Sequence, residues 1–423
     1  MSASTARSLD DELALVFASD PATMADPHPL WRRLREQHRV YRHEHTVLLT
    51  RYADIRELHR DGVRGSRRGF FEGTRAEAIR SSLPPDAQEA FDRVAAFQGL
   101  QVSRTEGDDH ERLRRIAHRA FTPRRIADMR AMIQRHCDTL LDPLAGSHEC
   151  DLMPFAYRFP LAVIADILSV PDEEGRDEIR SWGNRIARHF GSSDPALVID
   201  AHRAIEEFRA YVGGVIARHR ADPGAGSELV AALLGAEGEE QLSEDELAAM
   251  FVVLLFAGHE TTTNLISIGL VELLRERDQW ELLCREPDLV PGAVEELLRW
   301  VTPVQWEQRL VVEDVELGGA LLERGQTVFT MLAGANRDPE VFERADELDI
   351  RREDARKHLS FGHGPHFCLG ASLARLEGEI AFTELTRRFP DIELAVDPGE
   401  LVFQGAAMMR QLRALPVRLS PAA

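Results

Sequence analysis

One short run near the C-terminus combines a reactive side chain with a rigid backbone. It reads Phe361-Gly-His-Gly-Pro-His-Phe-Cys-Leu-Gly370. Its glycines and proline exclude helix and strand and predict a tight loop, whereas the residues from Ala371 to Glu379 have helical spacing. Cys368 therefore lies where a constrained loop enters a helix. Backbone N–H groups and the positive helix end favour a thiolate at such a position, and Gly370 would let a flat ligand approach the backbone.

Two interpretations of Cys368 are open. A lone cysteine is most often a buried structural residue, here in a Gly-rich turn. The order Phe-Gly-x-Gly-x-His-x-Cys-x-Gly, however, resembles the haem-binding loop of the cytochrome P-450 family. The resemblance implies that the Cys368 thiolate is the axial ligand of the iron of haem b, and that it pushes electron density toward O–O cleavage. It also implies that His366 contacts a haem propionate.

A second stretch predicts a long buried helix. Ser243-Glu-Asp-Glu246 forms a capping box, and the helical pattern continues to about Arg277. At about 1.5 Å per residue, this rod of roughly 50 Å is long enough to cross the whole molecule. The run from Phe251 to Phe256 is apolar all round, which predicts burial, but it is too short to span a bilayer.

Within this helix, Ala257-Gly-His-Glu-Thr-Thr262 places residues that suit a buried helix poorly. A threonine hydroxyl there can bond the carbonyl four residues back and loosen the helix. One interpretation is a polar cluster that only kinks the helix. The sequence also resembles the oxygen-binding groove of the P-450 family. That resemblance implies that Ala257 and Gly258 face the cofactor, that Thr261 stabilises iron-bound oxygen by hydrogen bonding, and that Glu260 relays protons to it.

The helical segment from His110 to Ala120 has three faces. His110 and Arg114 share one face, and apolar residues share the second. The resemblance to the family's His-x-x-x-Arg helix implies that His110 and Arg114 hold a haem propionate, and a matching strand arginine, Arg309, implies a further contact. The third face is either an ordinary charged surface or a docking surface for an acidic electron donor. It carries Arg112, Arg115 and Arg119.

A structural trio is implied by the same resemblance. Glu296 and Arg299 match a Glu-x-x-Arg motif, and we expect Arg337 to be the third member, so that the trio braces the Cys loop from behind. Leu348 stands where the family usually has phenylalanine, which affects packing rather than chemistry. Strand-like residues from Thr327 to Thr330 predict a small sheet.

Composition limits the class of protein. The 423 residues carry a net charge of −20, so a nucleic-acid partner is not expected. Four scattered cysteines without a CxxC pair favour a reducing cytosol. Residues 1–20 lack a long apolar run, and we expect a flexible tail there, with no signal peptide and no membrane anchor. The resemblance spans the chain and implies the P-450 fold of the soluble bacterial type: mainly α with a small β region, as one large domain over residues 1–423.

The predicted function is that of a cytoplasmic, monomeric haem-thiolate monooxygenase. It would insert one oxygen atom of O2 into a largely apolar organic substrate, with electrons from NAD(P)H through a separate ferredoxin and its reductase. The alternatives are a peroxide-driven peroxygenase, a non-enzymatic haem sensor and a helical protein without haem. By matching, the predicted pocket walls are Val253, Phe256, Ala257, Gln305, Trp306, Met408 and Met409. Arg64, Arg67 or Arg68 could anchor a substrate carboxylate, although solvated arginines are the simpler interpretation.

Overall fold

The structure, a computed structural model, describes residues 7–60, 64–119, 121–170, 173–189, 192–222, 227–235 and 241–419. It is mainly helical with small sheets, as predicted. The helices are α1 (Leu9–Phe17), α2 (Pro21–Ala25), α3 (His28–Gln37), α4 (Tyr52–His59), α5 (Thr74–Ser82), α6 (Pro85–Gln98), α7 (Gly107–His118), α8 (Pro123–Asp128), α9 (Arg130–Leu141), α10 (Met153–Ile167), α11 (Glu173–Arg188), α12 (Pro195–Ala221), α13 (Glu228–Leu234), α14 (Glu244–Arg275), α15 (Arg277–Arg285), α16 (Val290–Val301), α17 (Leu332–Ala335) and α18 (Ala371–Arg388).

The strands are short. They are β1 (Val40–His43), β2 (Thr46–Leu49), β3 (Gly65–Ser66), β4 (Glu149–Asp151), β5 (Glu307–Val311), β6 (Val315–Leu317), β7 (Ala320–Leu322), β8 (Thr327–Thr330), β9 (Glu393–Leu394), β10 (Phe403–Gln404), β11 (Gln411–Leu412) and β12 (Pro416–Arg418).

The largest sheet has the order β1-β2-β8-β5-β3. Its β2–β8 pair is parallel and its other pairs are antiparallel. The strand predicted at Thr327 to Thr330 is therefore confirmed, and all four of its residues are buried. The remaining sheets are β4-β12-β9 and the hairpins β6-β7 and β10-β11.

Helix α14 forms the centre of the core. It begins at the predicted capping box: Ser243 Oγ accepts from Glu246 N–H, and Ser243 N–H donates to the Glu246 carboxylate. Helices α10, α12, α16 and α18 pack against it. By length and composition α14 could cross a membrane, but 78% of its most apolar 18-residue window is buried inside the protein. Its apolar character is therefore that of a core helix.

The N-terminal segment differs from the tail predicted for residues 1–20. Residues 9–17 form α1, capped by Ser8, and Leu13 and Val16 of this helix belong to the main hydrophobic cluster. Leu13 is fully buried and Val16 is 2% exposed. A pattern of one apolar side chain per turn in a polar, acidic segment is enough to attach a short helix once a core surface is available.

Candidate functional site

A cavity of about 260 Å³ lies between α14 and the loop that carries Cys368. One wall consists of α14 residues, including Ala257, Gly258 and Thr261, and another contains Cys368 and Gly370. A methyl group added at Gly370 would meet no atom within 4 Å, so this glycine leaves the cavity open. The structure therefore brings together the two stretches of sequence that were expected to face one ligand.

The Cys loop is held by its own backbone. Cys368 N–H donates to Phe361 O at 2.8 Å, and Phe367 N–H donates to Gly364 O at 3.0 Å. Gly364 has φ +76°, and a Cβ there would lie 2.0 Å from His59 O. Only glycine fits such a position. The predicted rigid loop followed by a helix is confirmed, with α18 beginning at Ala371.

Protein groups act on the pKa of the Cys368 thiol in opposite directions. Burial raises the pKa of this thiol, and this effect outweighs the Gly370 N–H and the Arg114 charge, which both act to lower that pKa. The Gly370 N–H and the Arg114 charge thus act in the predicted direction, and burial opposes them.

A buried carboxylate–guanidinium pair supports this loop from behind. Glu296 and Arg299, both fully buried, form a bidentate pair with N–O distances of 2.7 and 2.8 Å. Arg299 also donates to Asn336 O and Ala345 O, and the Asn336 side chain accepts from Leu359 N–H and donates to Ser360 Oγ at the start of the Cys loop. This chain of hydrogen bonds connects α16 to the loop.

The third member of the trio is Arg352, not Arg337. Arg352 Nε lies 3.1 Å from Glu296 Oε2. Arg337, which was expected in this place, stacks on the Trp300 ring at 3.6 Å and approaches Asp346 at 4.0 Å. The two arginines cannot be distinguished by spacing alone, because both lie in irregular segments between α17 and the Cys loop.

Glu295, next to Glu296 on α16, contacts residues at both ends of the Cys loop. Its carboxylate contacts His358 Nε2 at 3.1 Å before the loop and Arg375 Nε at 2.8 Å after it. Burial acts to raise the pKa of Glu295, but hydrogen bonds from His358 and Arg375 hold that pKa at about 2. We call these six residues the brace: Glu295, Glu296, Arg299, Arg352, His358 and Arg375.

Helix α14 remains continuous past the cavity. Thr261 Oγ1 donates to Ala257 O at 3.1 Å, as expected for a threonine that bonds the carbonyl four residues back. Gly258 has a packing role as well, since a Cβ there would lie 2.7 Å from Ile164 Cγ1 on α10. The small residues Ala257 and Gly258 thus leave space for the cavity on one side of α14. On the other side, Gly258 allows α10 to pack closely.

Glu260 points away from this cavity. It is 2% exposed, accepts a hydrogen bond from Gln411 Nε2 on β11, and lies 3.2 Å from His259 Nε2. It lines a second cavity of about 230 Å³ between α11, α14 and the C-terminal hairpin. His259 in turn contacts Tyr157 Oη at 3.3 Å. Glu260 and Thr261 are therefore neighbours in the chain whose side chains face different cavities.

The predicted pocket walls are divided in the same way. Val253 and Ala257 line the Cys368 cavity, whereas Phe256, Met408 and Met409 line the second cavity. Gln305 and Trp306 line neither cavity. Gln305 is 1% exposed and donates to Val301 O and Thr302 O, and Trp306 packs in an aromatic cluster with Phe17, Trp31 and Phe329.

The expected propionate contacts lie at one edge of the Cys368 cavity. Arg114 and His366 line it, and the centroid of the His110 ring lies 4.1 Å from that of the His366 ring, with the two planes tilted by 42°. Burial, with the charges of His366 and Arg114, lowers the pKa of His110 to about 4. Burial likewise lowers the pKa of His366 despite its hydrogen bond with Glu106. Burial therefore disfavours the charged form of both imidazoles.

Arg309 has donors that the protein does not use. It is 2% exposed, and its Nη2 donates to Glu307 Oε2 at 2.7 Å. Among the described residues, its Nε and Nη1 have no hydrogen-bond partner, and neither does His110 Nε2. Buried guanidinium donors without partners are costly. These donors fit a ligand that carries carboxylates, as the propionates of haem do.

Sequence reasoning missed two half-buried acids at this edge, Glu106 and Glu307. Glu307 lines the cavity, and Glu106 accepts from Arg67 N–H and contacts His366 Nε2. The sequence did contain a signal for Glu307. Residues two apart on a strand share a face, and Glu307 precedes Arg309, a predicted propionate contact, by two. We call the following residues the polar wall: Arg67, Glu106, His110, Glu307, Arg309 and His366.

The arginines of the possible docking surface behave differently from one another. Arg112 of α7 pairs with Glu246 of α14 and is 19% exposed. Arg115 and Arg119 are exposed. Arg112 therefore serves contacts within the protein, and only Arg115 and Arg119 of the three remain on the surface.

Comparison with known proteins assigns the family. The family model for cytochrome P450 matches residues 85–400. The chain is 39% identical over 417 residues to cytochrome P450 107B1 of Saccharopolyspora erythraea, covering 96% of this chain and 98% of that protein. It is 36% identical to vitamin D(3) 25-hydroxylase of Pseudonocardia autotrophica, with 94% of each chain covered.

Solved structures agree with this assignment. A myxobacterial cytochrome P450, CYP267B1, in complex with myristic acid is 35% identical, with a TM-score of 0.84 and coverage of 96% of this chain and 99% of that one. The cavity between a threonine-bearing helix and a cysteine loop is thus found in a chain whose sequence and fold both match one family. The chain belongs to the cytochrome P450 family and is a haem-iron monooxygenase that inserts oxygen from O2 into a small organic substrate.

Proposed function

We propose that the cofactor is haem b, that Cys368 is its axial ligand, and that electrons arrive from NAD(P)H through a separate ferredoxin and reductase. One observation carries this proposal: Cys368 and Thr261 line the same cavity, and unused N–H donors lie at its edge. When bound, haem supplies the activation of O2. The ferredoxin would dock near Arg115 and Arg119, since an acidic partner needs a local basic surface on a chain with a net charge of −20.

The chain's own residues would accommodate the flat ring of the cofactor and would bind the carboxylates at its edge. Ala257, Gly258 and Gly370 leave room for a flat macrocycle because they have at most one side-chain carbon. At the edge, Arg309 donates through Nε and Nη1, and His110 donates through Nε2. Arg114 and His366 line the same edge. Charge-assisted hydrogen bonds from guanidinium groups to carboxylates are the strong kind.

Glu260 and Thr261 would deliver protons. The Thr261 hydroxyl lies in the cavity, and its bond to Ala257 O can be exchanged for one to a ligand. Glu260 faces the second cavity and is hydrogen-bonded to Gln411. A change of its side-chain torsions would carry a proton from that cavity to the Thr261 hydroxyl, which matches the requirement for a positioned donor in general acid catalysis.

The substrate would be a largely apolar molecule with few polar groups. Ile164, Val253 and Leu254 line the Cys368 cavity, and Phe256, Met408 and Met409 line the second cavity. Relatives are named for vitamin D3 and 6-deoxyerythronolide B hydroxylation, and solved neighbours contain myristic acid and tirandamycin C. We propose a largely apolar organic substrate here as well, acted on by a cytoplasmic monomer.

The ligand assignment is tested with Cys368→Ser and its control Cys284→Ser. Cys284 is half-buried and distant from the cavity lining, so its variant should keep the thiolate-type spectrum of the reduced carbon monoxide complex. Cys368→Ser should lose that spectrum, because a serine oxygen cannot replace the thiolate. An unchanged spectrum in Cys368→Ser would overturn the assignment.

The proton-delivery role is tested with Thr261→Ala. The variant should retain haem, because Thr261 bonds only α14 itself among the described residues, but should divert reducing equivalents to peroxide. The measurement is product formed per NAD(P)H oxidised, with Thr263→Ala as a control on the same helix. If Thr261→Ala keeps its full yield of product, the hydroxyl does not deliver protons. A rate with peroxide alone equal to the ferredoxin-driven rate would instead favour a peroxygenase.

A further inference from the structure

We propose that Arg67 is a further cofactor-binding residue, which contacts a carboxylate of the bound group, and that Glu307 is its positioning residue. This rests on the proposed function, in which the cofactor is haem b with two propionates. Of the three arginines considered for a substrate carboxylate, only Arg67 lines the Cys368 cavity. Arg64 pairs with Glu57, and Arg68 lies 4.0 Å from Glu72 on the surface.

Arg67 is fixed on three sides. Its backbone N–H donates to the Glu106 carboxylate at 2.6 Å, its Nε donates to Ser103 O at 3.1 Å, and its Nη1 lies 2.7 Å from Glu307 Oε2. The side chain is 16% exposed. A long, flexible side chain held in this way loses little further entropy when it binds a ligand.

Arg67 lies beside the unused donors of Arg309. Arg67 Nη1 and Arg309 Nη2 both contact the same oxygen, Glu307 Oε2, at 2.7 Å. Nε and Nη1 of Arg309 have no hydrogen-bond partner among the described residues. Two guanidinium groups that meet at one carboxylate oxygen form a pocket for a second carboxylate.

The polar wall and its neighbours carry more guanidinium groups than carboxylates. Arg67, Arg104, Arg114 and Arg309 lie near the two carboxylates of Glu106 and Glu307. An anionic ligand is therefore favoured at this edge of the cavity.

Glu307 explains why the arginines stay in place. Burial acts to raise the pKa of Glu307, but the charges of Arg67 and then Arg309 hold it well below its usual range. The carboxylate therefore remains ionised and holds both guanidinium groups at the cavity edge. Glu307 precedes Arg309 by two residues on β5, so strand geometry places the two side chains on the same face of the sheet.

The experiment measures release of hemin from the loaded protein to an excess of a haem-scavenging apoprotein. Arg67→Gln should release hemin roughly tenfold to a hundredfold faster than wild type, the usual effect of a charge-assisted hydrogen bond. The matched control is Arg68→Gln, because Arg68 is the neighbouring arginine and is 54% exposed. The control should release hemin at the wild-type rate.

Two further measurements separate cofactor binding from a merely structural role. Loading with the dimethyl ester of hemin, in which both propionates are blocked, should abolish the difference between Arg67→Gln and wild type. If Arg67 only neutralises Glu307, the double variant Arg67→Gln, Glu307→Gln should regain wild-type release. We expect it to remain fast. A wild-type release rate in Arg67→Gln, an equal effect with the dimethyl ester, or full rescue by the double variant would each overturn the proposal.

These outcomes are distinct from a failure of the proposed function. Arg67→Gln leaves Cys368 in place, so the reduced carbon monoxide spectrum should keep its thiolate position whatever the release rate. Failure of wild-type protein to bind hemin would overturn the assignment of haem b and, with it, this inference. Normal binding with no effect of Arg67→Gln would overturn only the inference.

Discussion

The brace and the polar wall are both buried clusters of arginine, glutamate and histidine on the two sides of the Cys loop, yet they differ in how completely they are paired. In the brace, every buried side-chain nitrogen and oxygen of the six residues has a partner. In the polar wall, His110 and Arg309 retain buried nitrogens without hydrogen bonds to described residues. A fully paired cluster stabilises a fold, whereas an underpaired one indicates a missing ligand.

The largest expected effect is in the brace. Arg299→Ala removes two hydrogen bonds to the Glu296 carboxylate and three to backbone carbonyls, leaving a buried charge. Breaking such a pair costs about 3–5 kcal/mol, a large part of the stability of a typical protein. Urea unfolding of the haem-loaded protein measures it.

The control for this variant is Arg93→Ala. Arg93 forms an exposed pair with Glu89, with side chains 62% and 67% exposed, and its loss should cost less than about 0.5 kcal/mol. Equal effects of the two variants would contradict a structural role for the brace.

Acid should weaken the brace through Glu295. The pKa of Glu295 is about 2 in the folded protein, against about 4.3 for an unfolded glutamate. Because the folded value is depressed, the stabilisation is present above the unfolded pKa and is lost as pH falls from about 5 to 2, with a total of the order of 3 kcal/mol. The measurement is the free energy of unfolding against pH.

Glu295→Gln should flatten this pH dependence, whereas Glu89→Gln, at an exposed position, should leave it as in wild type. A Glu295→Gln variant with the full wild-type slope would show that other carboxylates cause the acid sensitivity.

In the polar wall, the expected effect is on the cofactor. Arg309→Gln removes two donors that have no protein partner, so haem binding should weaken by about 1.5–3 kcal/mol. Hemin release measures this, with Arg324→Gln, an exposed site on the turn between β7 and β8, as control. An Arg309→Gln variant that unfolds easily but releases hemin normally would show that Arg309, like the brace, stabilises the fold and does not bind the cofactor.

The smallest effect tests which arginine completes the brace. Arg352→Gln breaks contacts to Glu296, whereas Arg337→Gln breaks a stacking contact with Trp300. We expect Arg352→Gln to destabilise the protein by about 1 kcal/mol more. Urea unfolding of both variants measures the difference, and the reverse order would restore Arg337 as the third member.

Local sequence patterns were sufficient for several features. The capping box predicted the start of α14, and the glycines and proline predicted the Cys loop. Local patterns failed where distant segments meet. Leu13 and Val16 anchor α1 only because a core surface is available, and Arg352 reaches Glu296 across 56 residues.

The sequence by itself determined the family of this protein and the residues proposed for its chemistry, because Cys368 and the run from Ala257 to Thr262 belong to local motifs that resemble those of one family. Only the tertiary structure decided that Glu260 faces a second cavity, and that Arg67 and Arg309 meet at Glu307. The physical reason is that burial and pairing of charges depend on contacts between segments far apart in the chain. The periodicity of residues within one segment of the sequence does not predict such contacts.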